Sequence, residues 1–531
     1  MSRRRIFLFL ACAALAAMAA PASLQASELF GKPLSFESGG NLGYGIAVAD
    51  LNGDGKLDVV VASLCTLQEN CDYNEGEPGV VGVLLGNGDG TFQPVQTYST
   101  VDGNSMSVAI ADLNGDGKPD LVVSNTCAVI YSCTEGGSIS VLLGNGDGTF
   151  QAAKTYLSGG WYAWWVAVAD LNGDGIPDVL VSNVCLEYGD PHCDGVVGVL
   201  LGKGNGELGE ATTYETGGSD VFYVTVADVN RDGKLDMLVA NGCGDQNCAG
   251  TVGVLLGNGD GTFQPPATYN SGGYQANSLA VGDVNGDGVL DVVAANFNLI
   301  YNDLNGGGVG VLLGNGDGTF QPATGYASGG DFSVSVALQD LNGDGKPDIA
   351  ITNGCGHAKN GSNCKITVVG VLAGNGDGTF DTAKIYRTGG GNLKTLAVAD
   401  VNGDGRPDLL LSNLQGPKDS VEGVLGVLLN IGPYQTSTSL ASSPNPSGQG
   451  QAVTMTATVK SIGPAAPTGT VLFKNGSAKI GSATISGGVG TLVRKNLPVG
   501  TLPITAIYTG DSNSATSTSP VVLQVVHPAG K

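Results

Sequence analysis

Val48-Ala49-Asp50-Leu51-Asn52-Gly53-Asp54-Gly55-Lys56-Leu57-Asp58-Val59-Val60 decides the fold, because the phrase occurs seven times. Its first aspartate recurs at Asp112, Asp170, Asp228, Asp283, Asp340 and Asp400, at intervals of 62, 58, 58, 55, 57 and 60 residues. A second phrase follows it, Val83-Leu84-Leu85-Gly86-Asn87-Gly88-Asp89-Gly90-Thr91-Phe92, and returns near Gly144, Gly257, Gly314 and Gly374. It is degenerate from Gly202 to Gly206 and absent after Leu429. Short apolar runs between glycine-rich turns are the grammar of strands and hairpins, and the chain after its first segment shows no sustained helical periodicity. Four strands per unit and seven units predict an all-β chain built on a seven-bladed β-propeller, whose radial closure leaves no long unpaired sheet edge. The seventh unit stops at Asn430 without its last turn and strand. Phe30-Gly31-Lys32-Pro33-Leu34-Ser35-Phe36 matches Phe320-Gln321-Pro322-Ala323-Thr324-Gly325-Tyr326, so the N-terminal strand is expected to complete the last blade.

The aspartate phrase has the composition of a cation loop. Side-chain oxygens stand at positions 1, 3, 5 and 9, and a glycine at position 6 permits a sharp turn. The sets are Asp50, Asn52, Asp54 and Asp58; Asp112, Asn114, Asp116 and Asp120; Asp170, Asn172, Asp174 and Asp178; Asp228, Asn230, Asp232 and Asp236. The remaining three are Asp283, Asn285, Asp287 and Asp291; Asp340, Asn342, Asp344 and Asp348; Asp400, Asn402, Asp404 and Asp408. Ca²⁺ takes six to eight oxygens, and these side chains with the backbone carbonyl at position 7 would supply most of them. Three carboxylates so close together repel one another without a cation. Up to seven structural Ca²⁺ ions are therefore expected. The bland alternative, that Asn-Gly-Asp-Gly merely makes a tight turn, does not by itself call for aspartate at position 9. An EF-hand is excluded because position 12 is Val61, Val123, Val181, Val239, Ala294, Ile351 and Leu411 instead of glutamate. The second phrase carries too few acids for a site and reads as a hairpin turn.

The ends of the chain differ from its middle. Arg3, Arg4 and Arg5 precede an apolar run from Ile6 to Ala20, and small residues follow, which predicts a signal peptide over residues 1–26 of the general or twin-arginine type. Fifteen apolar residues are too few to span a bilayer, and no later segment is long and apolar enough. Localisation is thus expected to be secreted or at the cell surface, with the periplasm also open. Apart from Cys12, the cysteines fall in close pairs: Cys65 with Cys71, Cys127 with Cys133, Cys185 with Cys193, Cys243 with Cys248, and Cys355 with Cys364. An even count in an exported chain favours disulfides over zinc, for which each pair has at most one nearby histidine. The propeller is assigned to residues 27–430. After it, serine, threonine and proline rise and the aspartate loops vanish, so residues 431–531 read as one β-sandwich without the Cys and Trp of antibody domains.

Composition removes one partner class. With 48 acidic against 24 basic residues and a formal charge of −24, little is left to neutralise nucleic-acid phosphates. Seven loops with three aspartates each hold 21 of those 48 acids. The 87 glycines fall largely at the turns of the loops and hairpins.

The Asp-x-Asn-x-Asp-Gly-x-x-Asp loops between strands, from about Phe30 to Asn430, resemble the FG-GAP or VCBS repeats of secreted bacterial proteins, which are similar to the N-terminal propeller of integrin α subunits. Ser443-Pro444-Asn445-Pro446, Pro467-Thr468-Gly469-Thr470-Val471 and Tyr508-Thr509-Gly510-Asp511 resemble a bacterial Ig-like domain. The resemblance implies structural calcium and a role in adhesion or recognition. Arg231 departs from the pattern at position 4, which supplies no ligand.

Alternation of strand direction puts the aspartate loops on one face of the disc, and on the other the cysteine loops and the connections between blades. Those connections carry Trp161, Tyr162, Trp164 and Trp165 in one repeat and Phe222 with Tyr223 in the next. These rings are suited to an extracellular glycan or a protein partner, or else to packing at the central channel. No catalytic constellation is visible, so a non-enzymatic binding module is expected. A polysaccharide-acting enzyme on a propeller scaffold and a passive spacer are the alternatives.

Overall fold

The computed structural model describes residues 29–66, 78–128, 136–186, 194–244, 248–299, 306–356, 367–415, 422–434, 436–461, 463, 466–511 and 513–529. The expected signal segment and Cys71, Cys133, Cys193 and Cys364 lie outside them. All regular structure among the described residues is β.

Each repeat is an antiparallel run in which one strand starts at the position 9 aspartate, and in five of the seven that strand reaches the first cysteine of a pair, as in Asp58–Cys65 and Asp178–Cys185. The aspartate loop and the cysteine loop are therefore at opposite ends of the same strand. Its side chains are buried on both faces, which explains why the sequence there is a continuous Val and Leu run instead of an alternating one. Strands 16 residues long, Leu34–Ala49, Gln96–Ala111, Thr212–Ala227 and Ala267–Gly282, each pair with one strand over their first half and another over their second. Gln96–Ala111 pairs Val83 with Gln96 behind it and Asp120 with Ala111 ahead of it. Gly103 pairs with Pro78 on one side and with Cys127 on the other, so one strand closes a repeat and opens the next.

The N-terminal strand does the same for the last repeat. Leu34 pairs with Val427 and Phe36 with Leu425, while Ala49 pairs with Asp58. Phe30 bridges Asn430, as Phe92 bridges Gly86 in the first repeat. Seven apolar clusters each join two consecutive repeats. One of them packs Val401, Leu410 and Val427 of the last repeat against Ile46, Val59 and Leu84 of the first.

Close approach between repeats requires glycine at one recurrent strand position. A Cβ on Gly198 would lie 2.0 Å from the Ser158 carbonyl oxygen of the preceding repeat, and one on Gly310 1.8 Å from that of Ser271. The second repeat has Ser140 there instead, and its hydroxyl donates to the Thr100 carbonyl at 2.7 Å. Residues after Tyr434 form two further sheets around a separate core that includes Met455, Phe473, Ile504 and Tyr508. That core uses neither Cys nor Trp, as read from the sequence.

Candidate functional site

In each aspartate loop the first carboxylate organises the backbone. Asp50 Oδ1 accepts from Gly53 N at 2.8 Å and Asp54 N at 3.2 Å, and its Oδ2 accepts from Gly55 N at 2.8 Å. Asn52 Oδ1 accepts from Asp54 N and Asp54 Oδ1 from Lys56 N, both at 2.9 Å. These are Asx turns nested one inside the next. Arg231 fits because it adopts the left-handed backbone, φ 63°, that Gly53 has at the same position. Its guanidinium donates to the Gly288 carbonyl of the following loop.

The position 9 aspartates have a role that the sequence did not reveal. Asp58, fully buried, accepts from Leu51 N at 2.9 Å through Oδ2 and from Gly86 N at 2.7 Å through Oδ1. The same pair of bonds recurs at Asp120, Asp178, Asp236, Asp291, Asp348 and Asp408. At Asp408 the second donor is Asn430 N. In the first six repeats the carboxylate thus staples the start of its loop to the first glycine of the second phrase. Aspartate at position 9 in every copy therefore has a reason independent of any cation, and its recurrence does not distinguish a cation loop from a tight turn.

Burial pushes all seven of these carboxyls up from the ordinary value, against the opposing effect of the two N–H donors. Asp348 reaches about 6 and Asp408 about 7. Among the described residues no three Asp, Glu, His or Cys side chains converge on a point that could hold a metal ion. The donor chemistry at positions 1, 3 and 5 suits a hard cation. In four loops the basic residue at position 7 folds back on the position 5 carboxylate: Lys56 on Asp54 at 3.5 Å, Lys118 on Asp116 at 3.4 Å, Lys234 on Asp232 at 3.9 Å and Arg406 on Asp404 at 2.6 Å. A cation would have to displace the lysines.

At the opposite end, Cys243 and Cys248 form a disulfide, and Cys65, Cys127, Cys185 and Cys355 are also half-cystines. Across the sheet these first cysteines pair with Asn41, Gly103, Trp161, Ser219 and Asp331. The next residue in every repeat has a left-handed backbone: Leu42 (φ 56°), Asn104 (57°), Tyr162 (57°), Asp220 (57°), Gln275 (50°), Phe332 (62°) and Asn392 (53°). None is glycine, although glycine would relieve about 1 kcal/mol at each of those that is neither Asn nor Asp. A buried hydrogen bond sits behind this bulge in several repeats, as from Ser158 Oγ to Asn183 Oδ1 at 2.6 Å and from Ser328 Oγ to Asn353 Oδ1 at 2.6 Å.

The aromatic residues divide. Trp164 packs edge-on against Phe222 of the next repeat at 5.5 Å and against Tyr44, two repeats away, at 5.8 Å. Lys394 Nζ lies 5.0 Å from the Tyr44 ring. Side chains from the first, third, fourth and seventh repeats thus meet in the middle of the array. Trp165 stacks on Tyr223 at 4.7 Å, and burial pushes that phenol up to about 12. Trp161 and Tyr162 stand at the bulge itself, beside Cys185.

Residues 70–123, 129–181, 241–294, 298–351 and 360–411 match the FG-GAP-like repeat profile, residues 42–63 and 105–142 the FG-GAP repeat, and residues 440–527 the bacterial Ig-like domain (group 3). The phosphatidylinositol-glycan-specific phospholipase D of Dictyostelium discoideum is 26% identical over 223 residues, 33% of this chain and 23% of that protein. Cartilage acidic protein 1 of Mus musculus is 22% identical over 276 residues, 48% of this chain and 40% of that protein. The matches thus span from about a quarter to two fifths of these relatives' length. A solved periplasmic gluconolactonase of Pseudomonas aeruginosa aligns over 64% of this chain and 84% of its own, with 13% identity and a TM-score of 0.44. Among the described residues no helix is long and apolar enough to cross a membrane.

Proposed function

The chain belongs to the FG-GAP-like repeat family and carries a C-terminal bacterial Ig-like domain, and from that premise we propose that it is an exported recognition module. In this reading its repeats close into a seven-bladed propeller, stabilised by Ca²⁺ at the aspartate loops, and an extracellular glycan or protein is bound on the disulfide-bearing face. The cluster uniting the last repeat with the first supports the ring. The nested Asx turns and hard oxygen donors support calcium, which would supply positive charge beside the position 1 carboxylates.

One observation carries the choice of face. Seven side chains of six types are held there in the left-handed backbone, five of them beside half-cystines, while glycine stands close by in the same connections. Strain of this kind is maintained where the side chain itself is used.

The same feature provides a clean test, since Tyr162→Gly and Gln275→Gly remove the side chain and relax the backbone together. The full chain and the double variant would be probed on a glycan array and a panel of extracellular proteins. Binding by the native chain that is lost in the variant at unchanged melting temperature is the expected result. Undiminished binding by the variant would refute the assignment of the face, and an empty array and panel would leave the spacer reading.

A further inference from the structure

The seventh aspartate loop differs from the other six in what touches its position 5 carboxylate. Lys56, Lys118 and Lys234 lie 3.4–3.9 Å from their aspartates, each with 44% of its side chain exposed, as lone ammonium groups that water and salt screen. Arg406 is held on three sides. Its Nε and Nη2 both donate to Asp404 Oδ2, at 3.1 and 2.6 Å, its Nη1 donates to the Gly432 carbonyl at 2.6 Å, and its guanidinium lies 4.4 Å from the centre of the Tyr434 ring. The Arg406 backbone N–H takes Asp404 Oδ1 at 2.9 Å, so one residue engages both oxygens of that carboxylate. The two side chains are only 22% and 25% exposed.

Tyr434 extends this contact into the next domain. Its hydroxyl donates to the Asp404 carbonyl, its backbone N–H donates to the Asn513 carbonyl at 2.9 Å, and its own carbonyl accepts from Ala515 N at 2.7 Å. Asn513 and Ala515 belong to the Ig-like domain. An unbroken chain of polar contacts therefore runs from a repeat loop, through one tyrosine, into the C-terminal sheet.

We propose that in the seventh loop arginine has replaced the metal: Arg406 is that loop's resident cation, and with Tyr434 it clamps the Ig-like domain to the repeats without calcium. Guanidinium suits the task, since it is always charged, donates in a planar fork and stacks on an aromatic face, none of which an ammonium group does equally well. A divalent ion bound between Asp400 and Asp404 would have to break the fork and sit beside a fixed positive charge. The proposal rests on calcium occupying the other loops, and its test separates the two ideas.

Bound calcium would be counted by native mass spectrometry of the full chain, and the distance between a spin label in the repeats and one in the Ig-like domain measured with and without EDTA. The expected count is one ion fewer than the seven loops offer, rising by one in Arg406→Gln. The interdomain distance should stay narrow in EDTA and broaden in Tyr434→Leu. One ion per loop in the native chain overturns the replacement while leaving the calcium reading intact, and no bound ion overturns both. A distance that broadens on chelation in the native chain overturns the clamp. If Arg406→Gln fails to fold, Tyr434→Phe, which loses only the hydroxyl bond to Asp404, should broaden the distance by itself, and an unchanged distance there counts against the clamp.

Discussion

Replacing Asp178 by alanine isolates the staple from everything else the aspartate loops do. Its carboxylate is fully buried and accepts from Leu171 N at 3.0 Å and Gly202 N at 2.8 Å, and the loop has Ile176 at position 7, so no lysine is released by the change. Alanine leaves two backbone donors without acceptors. Each such loss costs about 1–3 kcal/mol, and relief of the carboxylate's own burial, visible as its raised pKa, returns part of this. A net loss of about 2–4 kcal/mol follows. Spread over the unfolding entropy of an array of repeats this large, it lowers the melting temperature by about 3–5 °C.

Calorimetry in EDTA and again in millimolar calcium reads both possible roles. A staple alone gives the same shift in the two buffers, whereas a staple that is also a ligand gives a larger shift in calcium. Asp178→Asn keeps one acceptor and turns an amide donor toward the other N–H, so about half the loss should remain. A shift under about 1 °C for alanine in EDTA would mean that water satisfies both amides, and the account of position 9 would be wrong.

Chelation of the native chain should lower the melting temperature, with calcium but not magnesium restoring it, since one site filled at a hundredfold excess over its dissociation constant is worth about 2.7 kcal/mol; an unchanged melting temperature refutes the cation reading. Gly198→Ala puts a methyl group 2.0 Å from the Ser158 carbonyl oxygen, a clash with backbone that should cost about 1–3 kcal/mol, and a neutral result by chemical denaturation would show that consecutive repeats are not packed as described. Trp164→Ala removes a ring wedged between Tyr44 and Phe222, and a destabilisation of about 2–3 kcal/mol in urea is expected where a purely ligand-facing tryptophan would show almost none. In EDTA the chain should be more stable at pH 5 than at pH 8. Asp348 and Asp408 hold their protons up to about pH 6 and 7 when folded, against an ordinary 3.8, so the stability they contribute is full below about pH 4 and is lost as the pH rises through 6 to 7. A melting temperature that rises across that window contradicts the direction of both shifts.

The β class, the repeat and the N-terminal completion of the last unit were all legible in the sequence, because turn glycines and strand runs are local signals and Phe30 to Phe36 repeats a phrase found elsewhere in the chain. The staple was not legible. Asp58 and Gly86 are 28 residues apart and meet only once the strands between them pair, so the aspartate looked like a fourth ligand and the glycine like a turn former. The left-handed ring left a fainter trace. Ser158-Gly159-Gly160 recurs as Ser38-Gly39-Gly40, Thr216-Gly217-Gly218, Ser271-Gly272-Gly273 and Ser328-Gly329-Gly330, always two residues before the strained position. Asp102 breaks that pattern in the second repeat, where its buried carboxylate accepts from Ser138 Oγ. Trp164 was ambiguous because strand alternation assigns a face, not a distance, and only the curvature of the array brings it to Tyr44.

The two ends of the repeats solve opposite problems. At the aspartate end, like charges are crowded and fully buried carboxylates are held by paired N–H donors, so the chemistry there is uniform from copy to copy. At the cysteine end, the four left-handed residues that are neither Asn nor Asp, at about 1–2 kcal/mol each, amount to about 4–8 kcal/mol, a large part of the 5–15 kcal/mol that keeps an ordinary domain folded. The Cys243–Cys248 disulfide, closing a loop of six residues, offsets roughly 2 kcal/mol of this, and only Asn104, Asp220 and Asn392 are residue types that tolerate the conformation cheaply. Leu42, Tyr162, Gln275 and Phe332 are not. A chain with 87 glycines placed none at these seven positions, so the strain is retained for the sake of the side chains. Leu42 is already used in packing beside Trp164, and Phe332 lies against Phe297 at 4.7 Å. Among the described residues neither Tyr162 nor Gln275 stacks on a ring or joins an apolar cluster in this way, and they are the positions at which substitution by glycine should separate ligand capture from stability most sharply.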